Sequence, residues 1–405
     1  MIDADRDDPS VHDVAPASRP LRVAIQQPSL AKYRVPVYRE LASRPNIDLT
    51  LFYSTEAGIP NVEPVGFKAE HVDQHRLPLG FRWSRAHARV ADPTRFDVAV
   101  VSWAPRALSL LPALAAAKRR RVGVVAWGHG YSKRERGWRK AVRTRIGAAA
   151  DALLFYNHTA RNRHLQESRD DPGRCFVALN SLDQGPIREA RRATLADPRA
   201  LEHFQREHGL DPRATLLYVS RLDPNNRVDM LVRAIARLRE TRPSLKAVVV
   251  GAGDQLDELR ALASNLGVAE SVLFLGAVYG EASLAPWFCS ARAFCYPANV
   301  GLSLLHAFGY GLPAVTSDRL EAQNPEIEAL RHEENGLLYA DGSQEALEAA
   351  LARLLDDDEL HARLVTGAEE TVRDRFSLPR MVDGMIEAAN YAKEQASARA
   401  RNASG

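Results

Sequence analysis

Short apolar, β-branched runs alternate with segments of helical spacing through most of this chain, and that alternation restricts the fold more than any other feature. Residues 21–26 read as a first strand, and residues 35–42 carry apolar side chains at helical spacing. Further strands are predicted at residues 47–53, 97–103, 122–127 and 152–156, then in a run from 215 that ends at Arg221, at 245–250 and at 293–296. Strands alternating with helices imply α/β architecture with parallel, doubly wound sheets, whose ligands sit beyond the carboxyl ends of the strands. A length of 405 residues exceeds one ordinary core and suits two such domains.

Composition narrows the class. Hydrophobic residues make up 45% and charged residues 26%, within the range of globular domains. Residues 1–20 are Asp-rich with little to bury, so a disordered tail without the apolar core of a signal peptide is expected. No apolar run reaches membrane-spanning length; the nearest, 107–117, is short and broken by Pro112. Cys175, Cys289 and Cys295 are too few and too apolar in setting for a disulfide framework or a zinc site, which fits a reducing cytoplasm. Basic residues crowd into 118–121 and 133–146, where Trp138, Val142 and Ile146 recur at helical spacing. Such a helix suits an anionic bilayer or a phosphorylated lipid on the cytoplasmic face; the alternative is a solvated face whose apolar edge is ordinary core. No base-stacking array or reader motif supports nucleic acid.

The loops after strands are where chemistry belongs. In Tyr296-Pro-Ala-Asn-Val-Gly301, a strand turns into a helix whose first amides have no partner, an arrangement suited to an anion. Asn299, Val300, Gly301 and Leu302 are the candidate contacts, and His306 follows one turn into that helix, which ends at Gly309-Tyr-Gly311. Arg221 closes a strand, where a guanidinium can grip two phosphate oxygens. Gly251-Ala-Gly-Asp254 follows another strand, but the third small residue of a dinucleotide fingerprint is Leu256 here, and only Glu270 stands in the slot for a ribose acid; an NAD-dependent oxidoreductase is therefore disfavoured. In the first half, Trp127-Gly-His-Gly130 flanks His129 with glycines that would let a ligand approach; a structural or merely exposed histidine is the alternative. The loop 28–34 offers Ser29, Tyr33 and Arg34, although Tyr33 could pack on its own helix.

Taken together, these segments resemble GT-B glycosyltransferases of the family 4 (group 1) type over residues 21–390, strongly in the second half and diffusely in the first. The quoted landmarks are Asn180-Ser-Leu-Asp183, which is similar to an "NGVD" junction; Arg221-Leu; the 251–254 turn; residues 272–278, ending at Val278, which would frame a nucleotide base; Asn324-Pro-Glu-Ile327; and Asn335-Gly-Leu-Leu338. The resemblance implies two Rossmann-like domains facing a central cleft: a tail at 1–20, an acceptor-side domain at 21–183, a linker with a helix at 184–212, a nucleotide-sugar domain at 213–378, a helix at 379–396 crossing back to the first domain, and a frayed tail at 397–405. The chain also departs from the family. Asn226 stands where a lysine is usual, with Arg227 beside it, and the Glu-x7-Glu positions hold Ala298 and His306.

What the resemblance implies is retaining transfer of a sugar from a nucleotide-diphosphate donor to an acceptor hydroxyl, in cell-surface glycan or glycoconjugate synthesis. Arg221, with Arg227 as a substitute for the lysine, would stabilise the leaving diphosphate together with the amides at Gly301 and Leu302. Gly251, Gly253, Val278, Asn299, Val300 and His306 would line the donor, His129 would face the sugar, and Glu326 is the remaining carboxylate nearby unless it only caps a helix. Ser29, Tyr33, Arg34 and Gly130 would line the acceptor side, a lipid-linked glycan or a small natural product. No cofactor beyond the donor, no metal and no paired acid and base of a hydrolase are expected. A non-catalytic GT-B partner of an active transferase is the competing reading.

Overall fold

The computed structural model describes residues 19–56, 58–131 and 137–402. Fifteen strands are present among them: β1 (Leu21–Gln27), β2 (Ile47–Tyr53), β3 (Lys68–His71), β4 (Gln74–Arg76), β5 (Arg82–Ser84), β6 (Val98–Ser102), β7 (Gly123–Gly128), β8 (Ala152–Phe155), β9 (Cys175–Val177), β10 (Thr215–Val219), β11 (Lys246–Val250), β12 (Val272–Gly276), β13 (Ala293–Cys295), β14 (Ala314–Ser317) and β15 (Gly336–Tyr339). They build a seven-stranded sheet of order β3-β2-β1-β6-β7-β8-β9, a six-stranded sheet of order β12-β11-β10-β13-β14-β15, and the hairpin β4-β5. Every neighbour pair in the two large sheets is parallel. The central strands are buried on both faces, as β7 is throughout, because helices cover each side.

Both sheets reverse direction once, between β1 and β6 in the first and between β10 and β13 in the second. A doubly wound sheet opens a crevice at that point, because the helices that follow the two strands lie on opposite faces. The loops leaving β1, β6, β10 and β13 therefore fix where ligands can enter.

The segment 184–212 is not an open linker. It forms helices Gly185–Leu195 and Pro198–His208, the second begun by the Asp197 side chain accepting from the Ala200 amide and ended by left-handed Gly209. Ile187 of the first lies in the second domain's core, so the Arg, Glu and Ala richness marks amphipathic helices docked on that domain. At the other end, helix Leu378–Asn402 packs its small and apolar face on the first sheet, with Met381, Met385, Ala388 and Ala392 in the core of β1, β6 and β7. A β-carbon at Gly123 would lie 2.5 Å from the Ala392 carbonyl oxygen, so this helix rests directly on the backbone of β7. Residues 397–402 continue the helix instead of fraying, since Ala396 is buried and Arg399 pairs with buried Asp151.

Most of the tail expected at 1–20 lies outside the described residues, as do residues 132–136 of the basic stretch. The described part of that stretch forms helix Gly137–Ala149, where Ile146 is core, Val142 packs against it, and Trp138 stays exposed beside Phe81 at 5.6 Å. No described helix is long and apolar enough to cross a membrane. The three cysteines are free thiols, and burial pushes Cys175 and Cys289 up to about 11.

Candidate active site

The end of β10 is built by close backbone contact. The Ser220 amide donates to Val250 and the Leu222 amide to Ala252, which lays the 251–253 turn across the strand end. A β-carbon at Gly251 would stand 1.8 Å from the Ser220 carbonyl oxygen, and one at Gly253 2.3 Å from that of Leu222. Both glycines thus owe their identity to this packing. The Arg221 carbonyl accepts from the Tyr218 hydroxyl and the Asn226 side-chain amide, each at 2.8 Å, whereas its exposed guanidinium has no ion pair or hydrogen bond among the described residues.

Asn226 is buried and fully engaged. Besides Arg221 it donates to the Tyr218 hydroxyl at 3.1 Å, and its Oδ1 accepts from Asn299 Nδ2 at 2.9 Å. The residue in the lysine position is therefore a brace between the β10 end and the β13 turn. Arg227 takes a left-handed conformation (φ 54°) at the start of helix Val228–Leu238, and its Nε faces Asp229 at 3.6 Å, so its charge is held by its own helix.

After β13 the turn is locked from several sides. The Tyr296 hydroxyl donates to Ser220 Oγ at 3.1 Å, left-handed Asn299 (φ 61°) accepts at its carbonyl from Asn324 Nδ2 at 2.9 Å, and the Val300 amide donates to Gln323 Oε1 at 2.7 Å. Val300 is thus a buried strut whose N–H is already used, which leaves the amides from Gly301 onward. Helix Ser303–Gly309 begins with Leu302 and no side-chain cap, so its first amides point out of the turn. A β-carbon at Gly301 would lie 3.7 Å from Glu326 Oε2, which puts that carboxylate beside the same turn.

His306 points elsewhere. Its Nε2 lies 2.9 Å from Glu281 Oε2, and the Tyr310 hydroxyl donates to the same oxygen at 2.9 Å. Glu281 sits at the start of helix Glu281–Cys289; burial pushes its pKa up, but the bonds from His306 and Tyr310 outweigh burial, hold it below the usual range, and are reinforced by the charge of Lys32 from the first domain. Glu281 escaped the sequence reading because nothing in its local spacing signals a partner on another helix. Val278 is half-buried after β12, beside the highly exposed Tyr279.

Across from this crevice, the loops after β1 and β7 line a cavity of about 270 Å³ that contains Ser29, Tyr33, Arg34, His129, Gly130 and Tyr156. All four residues expected on the acceptor side therefore come together with His129. His129 is exposed, its ring 4.8 Å from that of Tyr156. The flanking glycines have packing reasons instead of the expected ligand approach: a β-carbon at Gly128 would meet Trp103 at 2.8 Å, and one at left-handed Gly130 would meet Phe155 at 2.7 Å. Arg34 is 9% exposed, and its guanidinium carbon stands 5.0, 5.1 and 5.3 Å from the rings of Trp127, Tyr156 and Tyr33. Burial lowers its pKa, but the surrounding tyrosines and Glu326 outweigh burial and the net direction is upward.

The two domains meet at residues 324–328. Buried Glu326 accepts from Asn180 Nδ2, and Asn157 Nδ2 donates to the Pro325 carbonyl at 3.1 Å. Glu328 takes the amides of His158 and Thr159 at 3.2 and 2.9 Å and the His158 ring at 2.5 Å. Glu326 lies inside the short helix Pro325–Ala329 instead of ahead of one, and its charge acts on Arg34 and Tyr156 of the first domain. No group of three or more metal-ligating side chains occurs among the described residues.

Two facing doubly wound domains, each with its switch-point loops turned to a common cleft, define a GT-B protein. The arrangement aligns with Anabaena HepE in complex with UDP at a TM-score of 0.70 and 16% identity, over 91% of this chain and 99% of that one. It also aligns with the apo form of the lipopolysaccharide outer core galactosyltransferase WaaB, with a TM-score of 0.63, 15% identity and coverage of 90% and 99%. Residues 202–371 match the family described as glycosyl transferases group 1, and the second domain belongs to it. A GDP-mannose-dependent α-(1-6)-phosphatidylinositol monomannoside mannosyltransferase of Mycolicibacterium smegmatis is 32% identical over 227 residues, 51% of this chain and 55% of that protein. A D-inositol 3-phosphate glycosyltransferase of Salinispora arenicola is 31% identical over 256 residues, 60% of this chain and 55% of that protein. The matched region thus spans little more than half the length of these curated relatives.

Proposed function

We propose that this protein is a glycosyltransferase that moves a sugar, with retention at the anomeric carbon and without a metal ion, from a nucleotide-diphosphate sugar to an acceptor hydroxyl. The observation that carries the reading is the Arg221 guanidinium after β10, unpaired among the described residues and tied through Asn226 to the β13 turn, whose first-turn amides have no partner among them either. In this reading the bond from the anomeric carbon to the diphosphate breaks, the acceptor oxygen bonds to that carbon, and the hydroxyl proton leaves with the diphosphate. Arg221 and the Gly301 and Leu302 amides stabilise the charge that builds on the leaving oxygens. Glu326 and His129 face the sugar from the two sides of the cleft, and the acceptor lies on the first domain near Ser29 and Arg34. Arg227, held by Asp229, is the weaker candidate for the second positive charge.

The relatives' names favour acceptors that carry inositol or a phosphatidylinositol glycan, and HepE binds UDP while the Mycolicibacterium protein uses GDP-mannose. Titration of UDP and GDP into the protein is expected to show one preferred diphosphate, with Arg221→Ala weakening it by roughly ten- to a hundredfold. Unchanged binding by that variant removes Arg221 from the donor site. The buried Asn226 in the lysine position favours a second reading, a donor-binding module without turnover. Binding of a labelled nucleotide sugar with neither transfer nor slow hydrolysis selects it.

A further inference from the structure

A buried arginine normally has an acid or carbonyl beside it, because an unpaired charge out of water is expensive. Arg34 is 9% exposed, yet its guanidinium makes no ion pair or hydrogen bond among the described residues. Three aromatic rings surround it at 5.0–5.3 Å and supply only π faces, so its N–H donors have no protein acceptor among the described residues and open only towards the solvent of the cavity. The Tyr38 hydroxyl, close enough to act electrostatically on Arg34, is itself buried with no partner. The open side of this cage is the 270 Å³ cavity, whose lining comes wholly from the first domain.

A second observation points the same way. That cavity shares Pro28, Glu56, Ser102, Ala104 and Arg143 with a neighbouring one of about 360 Å³, which Arg82, Arg106 and Arg139 also line. Among the described residues Glu56 is the one carboxylate lining either cavity, and Arg82 holds it at 2.6 Å. Arg106 Nε is buried with no hydrogen-bond partner among the described residues. Among the described residues lining these two cavities arginines outnumber carboxylates, while the nucleotide side of the cleft has its own guanidinium in Arg221.

We infer that Arg34 is the anchor of an anion subsite for the acceptor, and that the acceptor is a phosphate ester whose phosphoryl oxygens take the guanidinium fork while its hydroxyl faces the cleft. This deepens the glycosyltransferase reading and rests on it. A planar fork in an aromatic sleeve suits a tetrahedral oxyanion better than a neutral sugar, which cannot neutralise the buried charge. The phosphate could belong to a soluble polyol phosphate or to a lipid headgroup.

The test uses the full chain with two probes, sn-glycerol 3-phosphate followed by calorimetry, and phosphatidylcholine vesicles with and without phosphatidylglycerol followed by co-sedimentation. Binding of glycerol phosphate that falls with salt, and that Arg34→Gln weakens by roughly tenfold or more, is expected. Arg34→Lys, which keeps the charge and loses the fork, should fall between the two. An unchanged circular dichroism spectrum and Tm in both variants show that the first domain folds, and retained nucleoside diphosphate affinity shows that the second is intact. Vesicle binding that depends on phosphatidylglycerol and on Arg34, without affinity for the soluble ester, assigns the phosphate to a lipid. The inference is overturned if neither probe binds, if Arg34→Gln leaves both unchanged, or if it weakens the diphosphate instead, which would put Arg34 on the donor. Loss of diphosphate binding in Arg221→Ala is read separately, so failure of the acceptor proposal and failure of the transferase reading leave different signatures.

Discussion

Asn226→Ala isolates the brace that ties the end of β10 to the turn after β13. The side chain is buried and makes three hydrogen bonds, to the Arg221 carbonyl at 2.8 Å, the Tyr218 hydroxyl at 3.1 Å and Asn299 Nδ2 at 2.9 Å. The Arg221 carbonyl keeps the Tyr218 hydroxyl as a donor, so the severe part of the loss is the Asn299 link across the crevice. At a net of ~0.5–1.5 kcal/mol per bond, the variant should lose about 2–4 kcal/mol. For a cooperative unit the size of the second domain this corresponds to a fall in Tm of roughly 4–16 °C. Scanning calorimetry measures the fall, and titration with the preferred nucleoside diphosphate measures whether Arg221 and the 299–301 turn still act together; about a tenfold weaker affinity is expected. Asn226→Asp is the informative companion, because it keeps the shape and the acceptor but loses both donated bonds. A Tm within about 1 °C of the parent, together with unchanged affinity, would refute the argument that this amide couples the two loops.

Two further outcomes follow from the geometry. Gly251→Ala places a β-carbon 1.8 Å from the Ser220 carbonyl oxygen, so the β10 end must shift; a loss of roughly 1–3 kcal/mol in thermal unfolding and weaker diphosphate binding are expected. The inter-domain pair of His158 and Glu328 should respond to pH in a defined sense. The Glu328 bond raises His158 above 6.5, so its contribution is complete below that value and is lost as pH rises through the higher folded value. Burial raises Glu328 but the bonds from His158 and Thr159 hold it below 4.5, so its contribution is present above 4.5 and fades as pH falls through the lower folded value. Between those limits the domains are held together best. Small-angle scattering from about pH 6 to about pH 9 should show a more open particle at the alkaline end, and His158→Asn should remove the dependence.

The parallel architecture was legible because the strands are short, β-branched and regularly spaced, and a doubly wound sheet then dictates that Arg221 and the 296–301 turn share a crevice. The hairpin β4-β5 and edge strand β3 were not, since their exposed polar residues carry no alternation. Single residues were harder still. His306 stands where a ribose carboxylate is usual, yet its partner is Glu281 on another helix, a pairing only the fold reveals. The glycines around His129 suggested room for a ligand, while the space they leave is taken by Trp103 and Phe155. Arg34 was visible as a candidate beside Tyr33, but its enclosure also needs Trp127 and Tyr156 from two distant strand ends, so no local pattern could announce it.

Helix Leu378–Asn402 carries a consequence for assembly. Its residues Met381 to Ala392 complete the core beneath β1, β6 and β7, so the first half of the chain is missing part of its interior while it is being synthesised. The second domain needs nothing from that helix's inner face and can close on itself earlier, as an insert within an unfinished host. Completion of the first lobe's interior thus waits on residues encoded after the whole of the second domain.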